Sequence, residues 1–129
     1  MADIVRPGDV AGGPLNSEAM PANVDLRIYR GDYVELKVTV KNDNGTAVNL
    51  TGYTAKASLK SDYSSPTATD FVCTITSPTT GQVTISMPSA TSKLLEPGAY
   101  IWDFQLTNGS SQTRTYLAGD VTVYDEVTA

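Results

Sequence analysis

Eight consecutive residues, Val34-Glu35-Leu36-Lys37-Val38-Thr39-Val40-Lys41, alternate apolar and polar without a break. Successive side chains of a strand point to opposite faces, whereas the apolar positions of a helix recur every three or four residues. The run is therefore a half-buried strand, and its β-branched residues suit a pleated surface. The same period recurs along the chain. Val24, Leu26 and Ile28 alternate with Asp25, Arg27 and Tyr29, and Ala55, Ala57 and Leu59 with Lys56, Ser58 and Lys60. Phe71, Cys73 and Ile75 mark a further strand, as do Val83, Ile85 and Met87, and then Tyr100, Trp102, Phe104 and Leu106. A last strand covers Thr113–Tyr124, with Leu117, Val121 and Val123 facing the core and Gly119 marking a bulge.

Turn chemistry separates these runs. Gly31-Asp32, Asn42-Asp43-Asn44-Gly45, the Ser/Thr/Pro-rich stretch 61–69, Ser77–Gly81, Pro97-Gly98 and Asn108-Gly109 all favour chain reversal. Ser89–Leu95 predicts one helical turn with Ser89 as its N-cap. About seven short strands, frequent turns and almost no helix predict an all-β fold, an antiparallel immunoglobulin-like β-sandwich.

Residues 1–22 lack this period. Pro7, Gly8, Gly12, Gly13, Pro14 and Pro21 fall there, and the apolar residues Ile4, Val5, Val10, Leu15 and Met20 are too sparse for a core. The expected organisation is an extended N-terminal arm over 1–22 and a sandwich over 23–129. The five apolar arm residues are the candidates to anchor the arm on a partner.

Composition narrows the function. The chain has no histidine, which removes the usual general base, the commonest transition-metal ligand and the usual pH switch. Its single cysteine, Cys73, cannot form an intramolecular disulfide and reads as a buried structural thiol. A net charge of −5 with no clustered lysines or arginines gives no footprint for nucleic acid or for an anionic membrane. No run reaches the roughly 18 apolar residues of a spanning helix, and the first residues carry no apolar signal core. No enzyme activity, cofactor or metal is expected.

Leu95-Glu96-Pro97-Gly98-Ala99-Tyr100-Ile101-Trp102 resembles the corner before strand F of immunoglobulin-like domains, where a tyrosine hydroxyl bonds back to the backbone. Tyr100 would be the corner tyrosine, and Trp102 would fill the space that antibody domains give to their second cysteine. A larger set of motifs runs in order. Met20–Asp32 (MPANVDLRIYRGD) comes first, then Val48–Ala55 (VNLTGYTA), then Leu95–Trp102, then Gly119–Val123 (GDVTV). Over about residues 20–127 this set resembles small immunoglobulin-like virion proteins of tailed bacteriophages. It is also similar to the N-terminal domain of phage baseplate upper proteins. The resemblance implies a chain without chemistry that attaches to, decorates or adapts between virion parts. Its partners would be other virion proteins, tail, baseplate or capsid, in multiple copies within a particle assembled in the bacterial cytoplasm. The arm before Met20, and the lack of a fibre segment after the sandwich, favour docking over receptor binding.

Several motifs compete with that reading. Arg30-Gly31-Asp32 matches an adhesion tripeptide, yet it lies between two alternating runs and reads as a turn. Three glycosylation-type sequons, at Asn44, Asn49 and Asn108, read as turn chemistry. Asn42–Gly45 lacks the distal glutamate of a calcium loop. Glu96 and Asp103 are the one imaginable acid pair for glycan cleavage, and Tyr100, Trp102 and Phe104 the one aromatic stripe that could stack sugars. Strict alternation assigns the stripe to the core. Tyr29, Arg30, Tyr33 and Tyr116 are expected to be more exposed and to form the interface.

Overall fold

The computed structural model describes residues 3–5, 22–41 and 46–127. Ten strands appear: β1 (Asp3–Val5), β2 (Ala22–Asn23), β3 (Leu26–Tyr29), β4 (Val34–Thr39), β5 (Thr54–Lys60), β6 (Thr69–Asp70), β7 (Val72–Ser77), β8 (Gln82–Met87), β9 (Gly98–Thr107) and β10 (Thr113–Tyr124). A four-residue helix, α1 (Ser89–Ser92), joins β8 to the approach of β9. One sheet has the order β1-β4-β8-β7. The other runs β2-β10-β9-β5-β6, with β3 also on β10. In immunoglobulin lettering, β4-β8-β7 is the B-E-D sheet and β5-β9-β10 the C-F-G sheet. The predicted β-sandwich is the observed fold.

Period two places the core as expected. Leu36 and Val38 of β4, Val83, Ile85 and Met87 of β8, and Leu59, Phe104, Leu106, Leu117, Val121 and Val123 of the facing sheet are all buried between the layers. The chain changes sheets at Phe71. Asp70 pairs with Ser58 in one sheet and Val72 with Ser86 in the other, so Phe71 spans the gap. Its amide donates to the Ala57 carbonyl at 2.9 Å and its ring meets Trp102 edge-on at 5.8 Å. Phe71 is thus buried at a crossing rather than within a strand, and Cys73 and Ile75 beyond it, on an edge strand, are half-buried.

The expected strand from Val24 to Ile28 is interrupted, and the cause is local. Asn23 pairs with Ala118 and Leu26 with Val121, so the parallel register on β10 is the same on both sides of the break. Between them the Val24 carbonyl accepts the Trp102 indole N–H at 2.7 Å, while the Val24 amide donates to the Ala118 carbonyl at 2.9 Å. At the next position the Asp25 carboxylate accepts the Asp120 amide at 3.0 Å, in place of a backbone carbonyl. The ladder is continued by side chains where the main chain turns inward.

Gly119 lies opposite this point, and its role differs from the one expected. It stays in register with Trp102, and the bulge falls three residues earlier, between Thr115 and Leu117. A Cβ on Gly119 would stand 2.1 Å from the Val24 oxygen, so the glycine is there for close backbone approach. The bulge has its own consequence. Thr115 faces Gln105 and Leu117 faces Phe104, so Tyr116 is the extra residue. Tyr116 is consequently 5% exposed and joins the core beside Leu117, which corrects its assignment to the interface.

Helix α1 begins one residue earlier than expected. Pro88 is the N-cap residue and Ser89 the first helical one, with the Pro88 carbonyl accepting the Thr91 and Ser92 amides. Proline has no N–H to leave unpaired at that place.

The N-terminal segment is described only in part. Asp3–Val5 runs parallel to β4, with Ile4 opposite Val38 and Val5 opposite Thr39, so these residues pair with their own chain. Val10, Leu15 and Met20 lie outside the described residues, as does the Asn42–Gly45 turn with the Asn44 sequon.

Candidate interaction surface

The Arg30-Gly31-Asp32 turn links β3 of one sheet to β4 of the other. The Asp32 amide donates to the Tyr29 carbonyl at 3.0 Å, and Gly31 takes φ +88°, a conformation costly for a residue with a Cβ. The side chains around it fix the turn to two other elements. One Arg30 nitrogen (Nη1) bonds Asp125 at 3.0 Å and the other (Nη2) donates to the Lys93 carbonyl at 2.9 Å. Ser92 is fully buried. Its hydroxyl accepts the Gly31 amide at 3.0 Å and donates to the Asp32 carbonyl at 2.7 Å. Turn, helix end and the segment after β10 are held as one unit. The exposed ion pair contributes about 0–1 kcal/mol, so the buried hydroxyl is the stronger tie. An adhesion tripeptide offers its arginine and aspartate to a receptor. Here both terminal nitrogens of Arg30, Nη1 and Nη2, already have partners within the chain, while Nε is buried without one among the described residues.

Tyr29 and Tyr33 are exposed, as the sequence predicted, at 49% and 59%. Tyr29 stacks on Tyr124 with ring centroids 5.1 Å apart, and the Tyr33 hydroxyl donates to Glu35 at 3.2 Å. Leu94 and Val127 are also exposed at this end, beside Lys93 and Glu126. Glu35 bonds Tyr33, Asp125 bonds Arg30 and Glu126 lies near Gly31, so with Asp32 the acidic residues here outnumber the basic Arg30 and Lys93. This end of the sandwich presents apolar and acidic side chains. Tyr124, Leu94 and the Ser92 anchor carry no period or motif that would have singled them out in the sequence.

The corner residues sit as the immunoglobulin pattern places them. The Tyr100 hydroxyl donates to the Glu96 carbonyl at 2.6 Å. Trp102 and Phe104 are buried in the core and Tyr100 is half-buried against it, so the aromatic stripe is not an open platform for a sugar. Glu96 and Asp103 do not converge. At about 3.3 Å per strand residue, Asp103 lies about 16 Å along β9 from Gly98, and Glu96 precedes Gly98. Paired glycosidase carboxylates stand within about 5–9.5 Å.

Asp103 belongs instead to the outer face of the β5-β9-β10 sheet. Ser58, Asp103 and Ala118 form one row across it and Lys60, Ile101 and Asp120 the next. Ser58, Lys60, Ile101, Asp103 and Ala118, with Tyr63, Trp102 and Thr115, line an open groove of about 380 Å³. Burial raises the Asp103 carboxyl pKa, and Lys60 and Lys56 oppose that shift. Ser58 donates to Asp70 at 2.6 Å beside it. Cys73 is shifted by the same cause as Asp103. Burial pushes its thiol up to about 11, with the Ala57 backbone working against the shift.

The two sequons within the described residues are turns. Asn49 Oδ1 accepts the Thr51 amide at 3.0 Å and its hydroxyl at 2.7 Å. Asn108 Oδ1 accepts the amides of Ser110 and Gln112. Among the described residues no group of three or more acidic or cysteine side chains is placed to hold a metal ion.

No protein-family model matches the chain, and no curated protein matches it. A number of solved structures resemble it, among them the following two. The Lin-41 filamin domain aligns at 14% identity and TM-score 0.44, over 76% of this chain and 82% of that one, a likeness too slight to argue from. The N-terminal domain of phage TP901-1 ORF48 aligns at 13% identity and TM-score 0.51, over 95% of this chain and 98% of that one. The chain therefore shares its β-sandwich fold, over 95% of its length, with a domain of a phage protein.

Proposed function

We propose that the chain is a non-enzymatic structural component of a tailed-phage virion, a minor tail or baseplate-associated protein that docks on neighbouring subunits. The observation that carries this reading is the likeness of fold to the phage domain over 95% of the chain. The tail or baseplate placement is supported by the motif resemblance to baseplate upper proteins, and capsid decoration is the neighbouring alternative. The acidic, apolar end of the sandwich around Tyr29, Tyr33, Leu94 and Tyr124 supplies a docking surface that needs little ordering on contact, because hydrogen bonds already fix its backbone.

Mass spectrometry of purified particles of the encoding phage tests the reading. The chain is expected at a fixed ratio to the major tail or capsid protein, and a variant lacking residues 1–19 is expected to fold but not to be incorporated. Particles that lack the chain, or that incorporate the truncated form normally, refute it.

A further inference from the structure

The two edges of β4 are used unequally. One pairs with β8 along Val34–Thr39. On the other, only Asp3–Val5 pairs, opposite Lys37–Thr39, and among the described residues no strand pairs with Val34–Leu36 there. An open sheet edge is a template for an added strand, whose main-chain hydrogen bonds supply the affinity. Here the added strand is three residues long and pairs with β4 alone. The sixteen residues 6–21 separate it from β2, which belongs to the other sheet.

We propose that the β4 edge at Lys37–Thr39 is a strand-acceptor site. It takes residues 3–5 of its own chain in the isolated protein, and the same segment of a second copy where copies are held side by side. This deepens the docking reading and rests on it only for the setting that holds copies together.

Length permits both arrangements. Seventeen peptide steps from Val5 to Ala22 reach at most about 60 Å at about 3.5 Å each. A domain of this size has a radius of gyration of about 13 Å, or about 34 Å across as a sphere. The segment can therefore cross to a neighbour. Composition is the same either way, because the hydrogen bonds made with one's own β4 and with a neighbour's are identical. The balance then depends on concentration alone. A short tether holds its segment at an effective concentration on the order of millimolar, and a neighbouring copy in an assembly presents its segment at a comparable value. Exchange of an identical element is for this reason a low-cost route to association.

Cross-linking tests the site. Asp3 and Lys37 are register partners, and Lys37 is exposed. Adjacent strands are about 4.8 Å apart, within the Cα separation of about 4.4–6.8 Å that a disulfide accepts. Full-length chain carrying C73A, to remove the single native thiol, receives D3C and K37C either on one chain or on two. In a glutathione buffer the one-chain version is expected to close internally. Mixed D3C and K37C chains are expected to give a disulfide dimer. Its share should rise through the millimolar range to at least tenfold over a D3C and K93C mixture, which reads random collision. V5C with T39C, two positions along the same register, repeats the test if the first pair perturbs folding. A one-chain version that stays reduced overturns the proposal, as does a two-chain dimer no more abundant than the collision control at every concentration. The readout uses isolated protein, so it stands or falls apart from incorporation into particles.

Discussion

Gly119→Ala tests the close approach that shapes the β2–β3 segment. The new Cβ would meet the Val24 oxygen at 2.1 Å, the Val24 carbonyl carbon at 2.7 Å and Asp25 Oδ1 at 2.9 Å. Two of these are backbone atoms, so no side chain can swing away to relieve the clash. The segment must move off β10, and the Trp102 indole bond to Val24 and the Asp120 bond to Asp25 move with it. Overpacking of this kind costs about 1–3 kcal/mol. Stranding the buried indole N–H adds about 1–3 kcal/mol. The stiffer unfolded chain returns about 0.4–1 kcal/mol. The net loss is about 1–5.6 kcal/mol, and for a domain of this length each kcal/mol moves Tm by roughly 4 °C. Circular dichroism is expected to show a Tm about 4–22 °C lower. Trp102 is the chain's single tryptophan, so its emission should shift in the native baseline as well. Gly109→Ala, where nothing lies within 4 Å of the added Cβ, is the matched control and should change little. A Gly119→Ala protein within about 0.5 kcal/mol of the parent would refute the argument, because surface substitutions stay in that range.

Two further outcomes follow from single side chains. Ser92→Ala removes the hydroxyl between Gly31 and Asp32 and should cost about 1–3 kcal/mol in urea unfolding, with amide exchange at Gly31 rising disproportionately; uniform exchange would show that the turn is not tied through Ser92. Cys73, with its thiol near 11, should react with a thiol reagent at pH 8 some hundredfold more slowly than an unfolded cysteine near 8.5, and equal rates would refute its burial. Because the folded pKa lies above the unfolded one, the native state holds the proton longer. Stability linked to Cys73 is therefore intact below about pH 8.5 and falls as pH rises towards 11.

Legibility tracked how local each cause was. The Tyr100 corner was readable because its bond spans four residues, and the Arg30-Gly31-Asp32 turn because glycine and aspartate are local turn chemistry. The anchors of that turn were not readable, since Ser92 and Asp125 lie 60 residues or more away in the chain. Tyr116 shows the limit most sharply. Alternation counted back from Leu117 places Tyr116 outside, and one inserted residue reverses that parity.

The sequence by itself determined the strands and their inner faces. Burying every second side chain is favourable at about 25 cal/mol per Å² of apolar surface wherever a period of two can form, and that preference needs no knowledge of neighbours. Only the tertiary structure decided where the ladders break, swap sheets or admit another strand. Val24 turns inward because an indole from β9 claims its carbonyl, Phe71 crosses because two sheets lie on either side of it, and Asp3–Val5 pairs where β4 has an edge to spare. Each depends on groups distant in sequence, whose positions are fixed only when the sandwich closes.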